Sequence, residues 1–218
     1  MKITVKAAVA VSTLAIAMVG IVPSRVLAQG GTSTSARDSS NTYSNVEWFH
    51  APGHTEGTPV TGASSVMIRN GEGVVYSIDT SGLPPGSPVT NWWIVFNHPE
   101  FCSAPGCGGK DFPQNGGDPR VMASVYWATG IIADQHGQVH FAAHQTRGGP
   151  SPGEVLFGPG YTSRHAEIHI VIRSHGMASS DPAVLNAQLT TFAGGCTAMN
   201  PCVDQQAVRH APPGHKDD

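Results

Sequence analysis

Eleven histidines in a chain of 218 residues are the first place to look for chemistry. His140 and His144 fall on one face of an extended segment but are four residues apart, about 13 Å, too far for both to touch one ion at about 2 Å. Glu167 and His169 are two apart, about 7 Å, and could share an ion. A copper or zinc site built from Glu167 and His169, completed across a sheet by His140 or His144, is the sharpest metal candidate. It requires the two strands to be neighbours. The plainer reading of the same face is a solvated hydrogen-bonded Glu–His–Arg row in which Arg173 shares the face of Glu167 and His169. That reading needs no cofactor, and we take it as the expectation. His50 and His54 read as loop histidines.

Hydrolytic chemistry has less to stand on. Ser174-His175-Gly176 follows an extended segment and Ser124 lies in another, but there is no G-x-S-x-G nucleophile elbow. Asp79, Asp111 or Asp118 could orient a histidine in a Ser/His/Asp triad, whose members need not be close in sequence. Glu154 and Glu167 could be paired carboxylates of a glycosidase. Trp48, Trp92, Trp93 and Trp127 could stack on carbohydrate, although burial in a core suits them better.

The four cysteines fall into two close pairs, Cys102/Cys107 and Cys196/Cys202, each bracketing a short loop rich in Gly, Pro, Ala or Asn. Two local disulfides, Cys102–Cys107 and Cys196–Cys202, are expected, against a four-thiolate zinc site with unusually loose spacing. The oxidising compartment this implies agrees with the N-terminus. Lys2 and Lys6 precede an apolar run over Ala7–Val22, and Val26-Leu27-Ala28 offers small residues for cleavage. This predicts a signal peptide over residues 1–28 and a secreted or periplasmic protein. The run is shorter than the roughly 20 residues that span a bilayer, so no stable membrane insertion is expected after cleavage. Losing Lys2, Lys6 and Arg25 takes the formal charge from −3 to −6. Only Lys110 and Lys216 then remain as lysines. With no basic patch, nucleic acid is a poor partner.

The elements that must position these residues are strands. Residues 29–64 read as a flexible leader to about Thr42, followed by a partly packed segment whose Trp48 and Phe49 are costly to leave in water. A short strand is expected near Val46–His50. Residues 65–210 read as the folded domain and 211–218 as a disordered tail. Turn residues punctuate β-rich runs at Ser65–Arg69, Val74–Thr80, Thr90–Asn97, Val121–Ala133, Gln138–His144, Glu154–Phe157, Ala166–Ser174, Gln188–Phe192 and Gln205–His210. Asn70-Gly71 and Asp134–Gly137 are hairpin-turn signals, and Gly130 suggests a bulge or a bend between sheets. Only the stretch near 181–189 reads as helix, with Asp181 as N-cap and Pro182 in the first turn. In Ala166–Arg173, Ala166, Ile168, Ile170 and Ile172 form the core face. Thr90–Asn97, carrying Trp92 and Trp93, is apolar on both faces and should be a central strand. The fold class expected is all-β, an antiparallel Greek-key β-sandwich with one short helix.

The order strand, Gly82-Leu83-Pro84-Pro85-Gly86, strand, cysteine loop resembles the layout of copper/zinc superoxide dismutases and of chordin-type secreted β-domains. The resemblance covers Gly73 to Cys107 and implies a Greek-key sandwich. It does not carry the dismutase activity: the two alternating metal histidines of that family have no counterpart among Trp92, Trp93, Ile94, Val95 and Phe96. His98 lies beyond the strand with no partner two residues away. Asn91–Cys102, Leu156–Gly160 and Ala166–Gly176 also look like segments of a group of secreted bacterial β-sandwich proteins of uncharacterised role, which implies a shared fold and export. The function expected is that of an exported, disulfide-stapled structural or binding module for an unknown ligand or protein. A copper- or zinc-binding protein is the alternative, and a secreted hydrolase the third reading.

Overall fold

The computed structural model describes residues 39–214. The expected signal peptide, most of the leader and the end of the tail lie outside the described residues. Among these residues, ten strands form two antiparallel sheets. They are β1 (Ser40–Ser44), β2 (Val46–Trp48), β3 (Ser64–Arg69), β4 (Gly73–Thr80), β5 (Pro88–Phe96), β6 (Ala123–Ile132), β7 (Val139–Thr146), β8 (Val155–Phe157), β9 (Glu167–Ser174) and β10 (Val203–His210). Among the described residues there is one α-helix, α1 (Pro182–Thr190), and its N-cap Asp181 accepts a hydrogen bond from the Ala183 amide. The four-stranded sheet has the order β1-β3-β4-β7, and the six-stranded sheet β2-β10-β9-β5-β6-β8. The result is an all-β fold of two stacked sheets. Among the described residues no helix is long and apolar enough to cross a membrane.

The core between the sheets follows the two-residue period of the strands. Met67, Val74, Tyr76, Ile78 and Phe141 come from the smaller sheet, and Trp93, Val95, Tyr126, Ile168, Ile170, Ile172 and Val208 from the larger. β5 lies between β9 and β6, central as its apolar sequence requires, and is buried on both faces. Trp93 therefore enters the inter-sheet core while Trp92 faces outward, under a second layer. The edge strands β2 and β8 of the larger sheet have three residues each, which leaves little exposed ladder for another chain to pair with.

Five expectations need correction. Residues 40–44, assigned in part to the flexible leader, form β1 and pair with β3, because Ser40, Thr42 and Ser44 can sit on an edge without large side chains. Gln188–Phe192 is not a strand: α1 runs on through Thr190, and Thr191 caps it by donating its N–H to the Ala187 carbonyl. The turn at Asp134–Gly137 does not close a hairpin within one sheet. It carries the chain from β6 in the larger sheet to β7 in the smaller one. Gly130 is not the bulge. The pairing of β5 with β6 slips at Ala128, while Gly130 is small because a Cβ there would come within 2.1 Å of the Leu189 carbonyl oxygen at the end of α1. Finally, Val121 closes a short 3-10 turn, and β6 begins at Ala123. Asn70, by contrast, builds the expected β3–β4 hairpin, its side-chain oxygen accepting from the Glu72 and Gly73 amides.

Candidate functional site

Along β5, the outward residues are Thr90, Trp92, Ile94 and Phe96, and along the neighbouring β9 they are Glu167, His169, Val171 and Arg173. This outer face is not solvated. Two disulfide-bracketed segments roof its two ends, and both expected disulfides are present, Cys102–Cys107 and Cys196–Cys202. Over the Phe96/Glu167 end lies the Cys102–Cys107 loop with Phe112, whose ring stacks on Phe96 at 5.7 Å and meets Phe157 edge-on at 5.2 Å. Over the Thr90/Arg173 end lie α1 and the segment to Cys202, with Phe192 edge-on to Trp92 at 5.1 Å. Between the two roofs runs a groove of about 600 Å³, floored by Trp92, Ile94, Val125, Val171 and Ala207. Small-molecule sites commonly have this size and an apolar lining with few polar groups.

Each end is held by an acid–arginine pair. At the first, Glu167 (2 % exposed) accepts hydrogen bonds on Oε1 from the Cys107 amide at 3.0 Å, Arg209 Nε at 2.9 Å and His169 Nε2 at 2.7 Å. Burial pushes the Glu167 carboxyl up, but the hydrogen bonds from His169 and Arg209 and their charges outweigh it, leaving the group below the ordinary carboxylate range. A carboxylate only accepts, so His169 carries a proton on Nε2, and its Nδ1 takes no part in that bond. His169 also lies edge-on to Phe96 at 5.3 Å and lines the groove. At the second end, Arg173 pairs with Asp204, donates from Nε to the Phe192 carbonyl and sits over the Phe192 ring at 3.9 Å. Arg173 is therefore not the arginine of the expected row. Arg209, directly across from His169 in the β9–β10 register, takes that place.

The four metal candidates are divided between the sheets. His140 and His144 lie exposed on the outer face of β7 in the four-stranded sheet, while Glu167 and His169 lie on the outer face of the six-stranded one. The expected completion across a sheet is thus not formed, because β7 pairs with β4, and His140 instead bonds Asp79 at 2.8 Å. Among the described residues, sets of three donor atoms within 4.8 Å of one another are His175/Cys196/Cys202 and Cys102/Cys107/Asp111, both holding disulfide sulfurs. His50 and His54 sit in a loop, His54 stacked on Trp48 at 3.5 Å.

The hydrolytic candidates are likewise engaged elsewhere. Ser174 Oγ bonds Ser87 Oγ, and Ser124 Oγ bonds the Gly160 amide. His175 bonds the Thr90 hydroxyl, but its other nitrogen faces the Gly194 carbonyl rather than a carboxylate. Glu154 accepts from the Phe192 amide at one roof, and Glu167 from Cys107 at the other, so the two carboxylates hold opposite ends. The groove-lining Phe112, Phe192 and Asp204, and the Arg209 that holds Glu167, were not singled out from sequence. The signal for the two phenylalanines was weak: one aromatic near each cysteine pair. Comparison with family models, curated proteins and solved structures returns no match for this chain.

Proposed function

We propose that this chain is an exported binding protein that holds a small apolar molecule bearing one hydroxyl group in the groove between its two stapled roofs. The observation that carries the reading is an apolar floor enclosed by aromatic rings, next to a few polar side chains that include His169 and Asp204. Asp204 supplies a carboxylate that accepts, and His169 Nδ1 takes no part in the Glu167 bond. A ligand hydroxyl can donate to the carboxylate and can donate to or accept from the imidazole. A ligand carboxylate is costlier to take out of water than a hydroxyl, and Arg173 and Arg209 are already paired with Asp204 and Glu167, so alcohols and phenols should bind in preference to acids of the same length. The N-terminal pattern and the two disulfides, which persist in oxidising compartments, support the export part of this reading.

The test is fluorescence titration with N-phenyl-1-naphthylamine, followed by displacement with decanol or decanoate. We expect saturable uptake of one probe per chain, displaced at least tenfold better by decanol, and lost in Ala207→Trp, which fills the half-buried floor. Uptake that does not saturate, or that survives Ala207→Trp unchanged, contradicts the assignment. Preference for decanoate contradicts the hydroxyl specificity.

A further inference from the structure

The two disulfides sit in opposite electrostatic settings, and the difference bears on their chemistry. His175 is wholly buried, and its two nitrogens have fixed roles. Nδ1 lies 2.9 Å from the Gly194 carbonyl oxygen and 3.3 Å from Cys202 Sγ. A carbonyl can only accept, so Nδ1 carries the proton. Nε2 is then bare and accepts from the Thr90 hydroxyl at 2.8 Å, while Thr90 Oγ1 accepts the Trp92 indole N–H at 2.9 Å. The Trp92–Thr90–His175 chain thereby holds an N–H donor against one sulfur of the disulfide. The charged groups acting on the ring are Arg173 and Asp204. Burial first, then Arg173, outweighs the Gly194 bond and Asp204, leaving the imidazole below its usual range and so neutral near pH 7.

The Cys102–Cys107 bond has an anion in the corresponding place. Asp111 offers a carboxylate oxygen within 4.8 Å of both sulfurs. Burial raises that carboxyl, but the Ser103 and Gly108 amides that donate to it at 2.7 and 2.8 Å help hold it below the ordinary range, hence ionised. A thiolate formed there would face a negative charge. One formed at Cys202 would face a hydrogen-bond donor, the kind of neighbour that acidifies cysteines.

We infer that Cys196–Cys202 is a thiol-exchange site that reacts with small-molecule thiols, with Cys196 the sulfur attacked and Cys202 the sulfur released. A thiolate attacks Cys196 Sγ, the S–S bond breaks, and its electron pair passes to Cys202 Sγ, where the His175 N–H stabilises it. A second thiolate attacks the external sulfur of the mixed disulfide and releases Cys196. Two thiols are oxidised to one external disulfide, and their two protons end on the two cysteines. Both cysteines are half-buried beside exposed residues 197–199, so the bond is within reach of a small thiol.

The test treats the oxidised full chain with reduced glutathione at pH 7 and traps free thiols with N-ethylmaleimide. Trypsin separates the bonds, leaving the first in residues 70–110 and the second in residues 174–209. We expect the second to open at least tenfold faster, with glutathione on Cys196 and maleimide on Cys202. In that singly opened protein, the pH midpoint for labelling Cys202 should fall at least about one unit below the 8.5 of a free cysteine. His175→Leu should move the midpoint back up; if that variant does not fold, the wild-type midpoint decides alone. Opening of Cys102–Cys107 first or equally fast, glutathione on Cys202, or a midpoint at or above about 8.5 overturns the proposal.

Discussion

Glu167 gathers more of the site than any other side chain, since one carboxylate fixes the Cys107 roof, Arg209 and His169. Glu167→Gln keeps the shape but replaces an ionised acceptor with an amide. We expect a loss of about 1–3 kcal/mol in urea unfolding, discounted from a fully buried pair because Arg209 is 46 % exposed. His210 carries a separate prediction. Its ring is buried, bonded to Thr42 and Ser65, and its pKa is pushed down to about 3 by burial first, then by the Arg69 and His169 charges. The unfolded chain titrates near 6.5, so it binds the extra proton between about pH 6.5 and 3 while the native state does not. Stability from this group is therefore full above about 6.5 and drains as pH falls toward 3, at up to about 1.4 kcal/mol per pH unit. His210→Gln should flatten that part of a stability–pH profile measured by urea midpoints. An unchanged slope would contradict the assignment.

At the scale of elements, local alternation was legible in the sequence and lateral pairing was not. The Ile168, Ile170 and Ile172 stripe and the two-sided burial of β5 could be read directly, because side-chain direction follows a fixed two-residue period. The cysteine pairs were legible because each closes a short loop. Which arginine completes the Glu167–His169 row was not, since it depends on the register between β9 and β10, strands separated by α1 and a disulfide loop. The same gap hid the division of His140 and His144 from Glu167 and His169. Gly130 shows how a correct signal can carry the wrong cause: the glycine is required, but by α1 lying against β6. Gly130→Ala should cost about 1–3 kcal/mol by overpacking against the Leu189 carbonyl, measured as a drop in urea midpoint. If the midpoint does not move, α1 does not press on the strand as described.

For the whole molecule, the larger sheet separates two tasks. Its inner face closes the core with the four-stranded sheet, and its outer face is roofed at both ends around a groove lined by Trp92, Ile94 and Val171. The central claim is that the groove holds an apolar hydroxyl compound beside His169, and a crystal soaked with 4-bromophenol tests it most directly. The account predicts an anomalous bromine peak between Phe112 and Phe192, with the phenol oxygen within hydrogen-bonding distance of His169 Nδ1 or the Asp204 carboxylate. An empty groove, or bromine found only on the outer face of the four-stranded sheet, would contradict it.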